Sequence, residues 1–147
     1  MNILGVSAAQ GALLFPFLHS KKYKILANIE PRGVFHTSCE SQWKLNFRDI
    51  PFYRGFCLQE FDEKVDIVVA SPDCGIASIM RLSKVKELGN PQENKSLNLV
   101  IQSILHYKPK IFLIENLPRL LSLLPKEYLQ KTLEDYKLIF HERSVLD

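Results

Sequence analysis

Residues 65–74 read Val65-Asp66-Ile67-Val68-Val69-Ala70-Ser71-Pro72-Asp73-Cys74, and Gly75 follows. The first six are almost wholly apolar and largely β-branched, the composition of a strand buried on both faces. Such strands belong to parallel sheets covered by helices on either side. The run then meets a Pro, a Cys and a Gly within five residues. That places Cys74 in a loop at the strand's carboxyl end and not in the core.

The sequence on either side fits the same sheet. Ile3 to Ser7 is predicted as a first strand and Gly11 to Ser20 as a first helix. Lys24 to Ile29 is a second strand, followed by a polar-amphipathic helix from Pro31 to Trp43 and a short third strand near Leu45 to Phe47. Pro51 to Lys64 carries aromatics without a clean period. Downstream, Gly89 to Pro91 breaks the chain. From Asn94, the residues Leu97, Val100, Ile101, Ile104 and Leu105 follow the i, i+3, i+4, i+7, i+8 spacing of an amphipathic helix. Lys110 to Ile114 is another buried strand. Pro125 suits the first turn of a helix carrying Leu129, Leu133 and Tyr136, and Leu138 to His141 begins a last strand. Short strands alternating with helices predict an α/β fold with a mostly parallel sheet and helices on both faces. No internal repeat or low-complexity tract interrupts residues 1–147, so one domain is expected.

Composition narrows the class. Hydrophobic content of 46% and charged content of 24% are those of a soluble globular chain. The net charge of +3 permits a nucleic-acid partner without identifying one. Cys39, Cys57 and Cys74 are an odd set with no C-x-x-C spacing, which argues against a disulfide framework and a cysteine zinc site. His19, His36, His106 and His141 are scattered, so no metal is expected. The apolar stretch from Ile3 to Leu18 has no preceding Lys or Arg and contains Gln10, Gly11 and Pro16. It is shorter than the roughly 20 residues of a membrane span, so neither a signal peptide nor a membrane segment is expected. With the cysteine usage, this predicts a reducing cytoplasm, or the nucleus if the source is eukaryotic.

Parallel α/β sheets bind ligands beyond the carboxyl ends of their strands, where the strand order reverses. Four segments fall there. Ser71 to Ser78 contains Cys74: either a nucleophile, which works as the thiolate and needs N–H groups or a cation nearby, or a small apolar residue that happens to be Cys. Glu115 and Asn116 follow the strand ending Phe112-Leu113-Ile114. A carboxylate there is costly to bury unless paired or catalytic, and the alternative is a cap for the next helix. Ser7-Ala8-Ala9-Gln10-Gly11-Ala12 is a small-residue turn that lets a ligand approach the backbone, and tight strand–helix packing explains it equally well. Glu30 ends the second strand some 20 residues later, where nucleotide-binding folds place an acid for ribose hydroxyls. Asp49, followed by Ile50, is either an adenine contact or a turn aspartate.

In this order, the segments resemble the cytosine-5 methyltransferase family. Ser71-Pro72-Asp73-Cys74-Gly75-Ile76-Ala77-Ser78 is similar to that family's G-P-P-C-Q-x-F-S loop, with Cys74 on its cysteine and Ser78 on its serine. Lys108 to Leu117 resembles the stretch ending in its E-N-V. The Ser7 to Ala12 turn matches F-A-G-x-G-G, and Glu30 and Asp49 fall where its ribose- and adenine-binding acids sit. The resemblance spans nearly the whole chain, and the Cys and Glu-Asn segments are its specific parts.

The resemblance implies a Rossmann-like methyltransferase fold using S-adenosyl-L-methionine. Its cofactor residues would be Ser7, Ala8, Ala9, Gln10, Gly11, Glu30, Pro31, Asp49, Ile50 and Pro72. It implies methyl transfer to carbon 5 of a cytosine rotated out of duplex DNA, with Cys74 adding to carbon 6, Glu115 at ring nitrogen 3 and Asn116 positioning them. Ser78, Arg81 and Lys84 would contact the nucleic acid, in a setting such as restriction-modification or phage self-protection. Departures are plain: Ser7 replaces an aromatic, Ala9 and Ala12 replace glycines, Asp73 a proline and Gly75 a glutamine. The family's Q-x-R-x-R segment, target-recognition domain and closing helix would lie beyond Asp147. A partial, C-terminally incomplete catalytic domain is therefore expected, completed by a C-terminal half or partner subunit. The competing readings are an inactive binding module of the same fold, an RNA cytosine-5 methyltransferase, and a nucleotide-binding oxidoreductase. The last lacks a three-glycine turn.

Overall fold

The computed structural model describes residues 1–31, 37–74, 94–120 and 126–141. Its centre is a five-stranded sheet built from β1 (Asn2–Val6), β2 (Lys24–Glu30), β3 (Phe52–Arg54), β4 (Ile67–Ala70) and β5 (Ile111–Ile114). Spatial order is β3-β2-β1-β4-β5, and every neighbouring pair is parallel. The order reverses between β1 and β4. All four residues of β4 are buried, as expected of a central strand read as an unbroken apolar run.

Four helices flank the sheet among the described residues. They are α1 (Phe15–Leu18), entered through a 3-10 turn at Ala12–Leu14, α2 (Thr37–Phe47), α3 (Lys95–Tyr107) and α4 (Lys126–Thr132). Two buried clusters lie on opposite faces. One gathers Leu4, Val6, Val68 and Ala70 under α3 and α4, and the other gathers Ile3, Ile67 and Val69 with Leu14, Trp43 and Phe47. Helices on both faces are thus as the sequence pattern requires.

Helix α3 carries the deepest part of the first cluster. Asn94 caps it by accepting from the backbone N–H of Ser96 at 3.0 Å and of Leu97 at 3.1 Å. Leu97, Val100, Ile101 and Ile104 face the sheet, each worth about 1.5–3 kcal/mol when fully buried. Leu105 does not follow them: it is 45% exposed, while Leu99 is 1% exposed and takes the inward place.

Three expectations are corrected. Leu45 to Phe47 is helical, because α2 runs on to Phe47 to stack its ring on Trp43 at 4.0 Å between centroids. The third strand is instead Phe52–Arg54, inside the stretch that has no clean sequence period. Leu138 to His141 forms no strand; Leu138 and Phe140 pack sideways on the first cluster. The first helix is also shorter than Gly11 to Ser20, since its opening turn is wound as 3-10.

Gly11 is fixed by two constraints. Its φ is +87°, and a Cβ there would lie 2.4 Å from Phe47 Cε2 and 2.8 Å from Trp43 Cζ3. Both rings are buried and stacked, so neither yields easily. Gly11→Ala should lower stability by more than about 2 kcal/mol, from backbone strain and overpacking together. A fall in the urea midpoint at constant slope would register it.

At the opposite end of the sheet, Asp66 ties three strands together. Its carboxylate accepts from Lys110 Nζ at 2.8 Å and from the backbone N–H of Asn2 at 3.0 Å. The Lys110 contact, aided by the Asn2 N–H, holds the acid below the usual aspartate range. Its folded value being depressed, the stabilisation is present above the unfolded value of about 3.9 and is lost as pH falls through the folded one. The urea midpoint of Asp66→Asn should therefore change less than that of the native chain between pH 5 and pH 2. Parallel pH dependences for the two would contradict this role.

Candidate functional site

Because the strands all run one way, their carboxyl ends share one rim. That rim holds Ser7 after β1, Glu30 at the end of β2, Ser71 to Cys74 after β4, and Glu115 and Asn116 after β5. The β1/β4 reversal point lies in the middle of it.

The loop bearing Cys74 is gripped from two elements. Asn116 donates from Nδ2 to the Pro72 carbonyl at 2.8 Å. The Asp73 N–H donates to Ser96 Oγ at 2.8 Å, and its carbonyl accepts from Asn94 Nδ2 at 3.0 Å. Asn94 and Ser96 open α3, so the loop is pinned to the first turn of that helix. Cys74 itself is a free, exposed thiol.

Glu115 continues the ladder, its N–H bonding the Ala70 carbonyl at 2.9 Å. Its carboxylate accepts from Ser71 Oγ at 2.8 Å. The acid is exposed, and the Ser71 bond links it to the same loop that ends in Cys74. The structure thus bonds Glu115 and Asn116 to Ser71 and Pro72 of the loop that leads to Cys74, at the ends of two adjacent strands.

The turn after β1 is built on buried polar groups. Ser7 and Ala9 have φ of +54° and +49°, and Gly11 of +87°. Ser7 donates its N–H to the Ile29 carbonyl at 2.7 Å. Ala9 donates to Glu30 Oε2 at 2.8 Å, and Glu30 is only 1% exposed. Asn28, fully buried, accepts from the Ala8 N–H at 3.4 Å and donates to the Ala9 carbonyl at 3.3 Å. Gly5 makes room for that amide, since a Cβ on it would stand 2.9 Å from Asn28 Oδ1. Ala8 and Pro31 are buried, and Gln10 is exposed.

Not every expected residue reaches the rim. Asp49 and Ile50 precede β3, so they sit at its amino end. There the Ile50 carbonyl accepts from Trp43 Nε1 at 2.8 Å. The cause is the length of α2, which delays β3 until Phe52. The residues at the carboxyl end of β3 are Arg54 and Gly55, and the Gly55 N–H bonds the Glu30 carbonyl at 2.9 Å. Asp49 and Ile50 instead line a cavity of about 640 Å³ with Tyr23, Tyr53, Phe61 and Asp62, remote from Cys74 in the fold. Ser78, Arg81 and Lys84 lie outside the described residues.

Four positioning residues escape sequence reasoning. Asn28 leaves a trace, a lone amide in an apolar strand, and Asn94 is visible as a helix cap. Ser71 and Ser96 leave none, since nothing local marks a serine that bonds across 44 or 23 residues.

A parallel sheet of this order, covered on both faces and carrying its special residues on the carboxyl rim, defines a Rossmann-like α/β fold. The model of the C-5 cytosine-specific DNA methylase family matches residues 12–139, and the chain belongs to that family. The cofactor that this family implies is S-adenosylmethionine. Among solved structures, the glycopeptide N-methyltransferase MtfA complexed with sinefungin is similar at a TM-score of 0.44 and 20% identity, over 77% of this chain and 42% of that one. The same enzyme complexed with (S)-adenosyl-L-methionine gives 0.44 and 19%, over 77% and 43%. This chain therefore spans less than half of those chains. No curated protein matches it.

The rim residues fit the cofactor in kind. A turn with three left-handed residues exposes backbone to a ligand, and a strand-end carboxylate is fixed beside it by the Ala9 N–H.

Asn116→Ala should cost about 1–2 kcal/mol, because it strands the carbonyl of buried Pro72. Urea unfolding measures it; a loss below a few tenths would mean that water replaces the amide freely.

Proposed function

We propose that this chain carries the cofactor and nucleophile sites of an enzyme that methylates carbon 5 of cytosine in DNA through a covalent Cys74 adduct. The observation that carries this reading is the Ser71–Glu115 bond, which joins the nucleophile loop to the acid across neighbouring strand ends. Family membership supplies the reaction class.

The cofactor would lie against Ser7, Ala8, Ala9, Gln10 and Gly11, with its ribose hydroxyls toward Glu30 and Pro31 and its far side toward Pro72. When bound it supplies an electrophilic methyl group. The target cytosine is turned out of the duplex, since its carbon 6 is inaccessible within the stack. Cys74 Sγ, as thiolate, forms a bond to carbon 6. Glu115, sharing a proton with ring nitrogen 3, stabilises the charge that the ring gains. Carbon 5 becomes nucleophilic and takes the methyl. Loss of the proton from carbon 5 then returns its electron pair to the ring and expels Cys74. Asn116 acts through the Pro72 carbonyl by keeping the loop in reach of Glu115. Ser78, Arg81 and Lys84 follow the nucleophile in sequence and are suited to phosphate contacts. A complementary C-terminal segment or subunit would read the target sequence.

A duplex containing 5-fluorocytosine blocks the last step, because fluorine is not lost as a proton is. With S-adenosylmethionine and the complete protein, the native chain should form an adduct stable to denaturing electrophoresis. Cys74→Ser should form none, while Cys57→Ser keeps it. Glu115→Gln should slow adduct formation by about 10²-fold or more. An adduct on RNA but not on duplex DNA would move the substrate class. No adduct with either would sink the catalytic reading.

A further inference from the structure

The turn after β1 and the loop after β4 are joined by a pair of serine hydroxyls. Ser7 Oγ lies 2.8 Å from Ser96 Oγ, with both side chains buried. Ser96 Oγ in turn accepts the Asp73 N–H at 2.8 Å, one residue before Cys74. Ser96 cannot drift, because its own N–H is held by the cap residue Asn94, which also grips the Asp73 carbonyl. Ser7 is equally constrained: it is fully buried, left-handed at φ +54°, and bonded through its N–H to β2. A short buried path thus runs from the proposed cofactor turn to the residue beside the proposed nucleophile, through one side chain of α3.

We propose that Ser96 is a positioning residue that couples the two sites, so that a ligand seated on the Ser7–Gly11 turn makes Cys74 more reactive. The inference rests on the cofactor reading above and adds a means by which cofactor binding prepares the thiol. The physical basis is order. Ser7 carries the turn's position in its hydroxyl; Ser96 has one hydrogen and already accepts from Asp73, so its geometry toward one partner constrains it toward the other. Fixing the turn narrows the positions open to the Asp73 peptide, and Cys74 follows in the chain.

The test uses S-adenosylhomocysteine, which has no methyl to transfer, and a short iodoacetamide pulse read at Cys74 by peptide mass spectrometry. Free glutathione in the same pulse corrects for reagent. In the native chain, saturating ligand should raise Cys74 alkylation about threefold or more. Ser96→Ala should bind the ligand by calorimetry yet show no rise. Ser7→Ala removes the link from the other end and leaves the Ser96–Asp73 bond in place, so at a ligand concentration that calorimetry shows to saturate this variant it should also lose the rise. If Ser96 merely held the loop, Ser7→Ala would still respond. A Ser7→Ala chain that responds like the native one would therefore overturn the coupling, as would ligand binding to the native chain with no rise. A fall in alkylation common to all three would indicate simple shielding and overturn it too. Absence of any ligand heat in the native chain would overturn the cofactor reading itself, and this inference with it. Should Ser96→Ala fail to fold, Ser7→Ala decides alone.

Discussion

Parallel pairing is the constraint from which the rest follows. Each strand of β3-β2-β1-β4-β5 runs the same way, so five carboxyl ends reach one rim and residues that follow adjacent strands become neighbours. The cost is that each return crossing must cover a face of the sheet, which is why both faces are helical and β4 is buried throughout. Function then needs only loop residues of suitable chemistry. Glu115 and Cys74 are far apart in sequence, yet the β4–β5 register, with Ala70 opposite Ile114, delivers both to adjacent strand ends.

What keeps those loops in shape is a set of short polar side chains directed at backbone. Asn28 braces the turn after β1, while Asn94, Ser96 and Asn116 hold the Pro72 and Asp73 peptides. None of the described buried side-chain polar atoms lacks a partner. Each bond is worth little net, but breaking one leaves a desolvated peptide group that costs more than the bond contributes. Such loops therefore have few alternative conformations. The left-handed Ser7 and Ala9 belong to the same economy: strain in a non-glycine residue persists only where its surroundings over-determine it.

The sheet was legible because its signal is strong and local. The VDIVVA and KIFLI runs, the helical spacing from Asn94, and Pro and Gly at the ends each specify an element by composition alone. Failures fall where tertiary contact overrides that signal. Leu45 to Phe47 looks like a strand, but stacking of Phe47 on Trp43 keeps it helical. Phe52–Arg54 is too short to show a period, and its amino end takes Asp49 and Ile50 away from the rim. Leu105 matches the helical stripe yet faces outward, because the buried arc of α3 extends from Leu97, Val100, Ile101 and Ile104 toward Leu99 and Ser103 and away from Leu105. At the site, the reacting types, Cys and Glu, stand out in sequence because they are chemically unusual after a buried strand. Serines that bond across the fold do not.

That contrast reflects a division of labour. The proposed reacting groups, Cys74 and Glu115, are exposed on the rim, while Ser7, Asn28, Asn94 and Ser96 beneath them are buried. Exposure lets a thiol and an acid meet a substrate; burial lets a hydroxyl or amide hold a peptide without competition from water. Ser71 stands between the two layers, in the loop but bonded to the acid. Its single hydroxyl hydrogen is committed to Glu115, so it orients that carboxylate while leaving the second oxygen to whatever enters the site. An arrangement of this kind separates the precision of the site from its reactivity: the buried layer sets where the groups stand, and the exposed pair sets what they do.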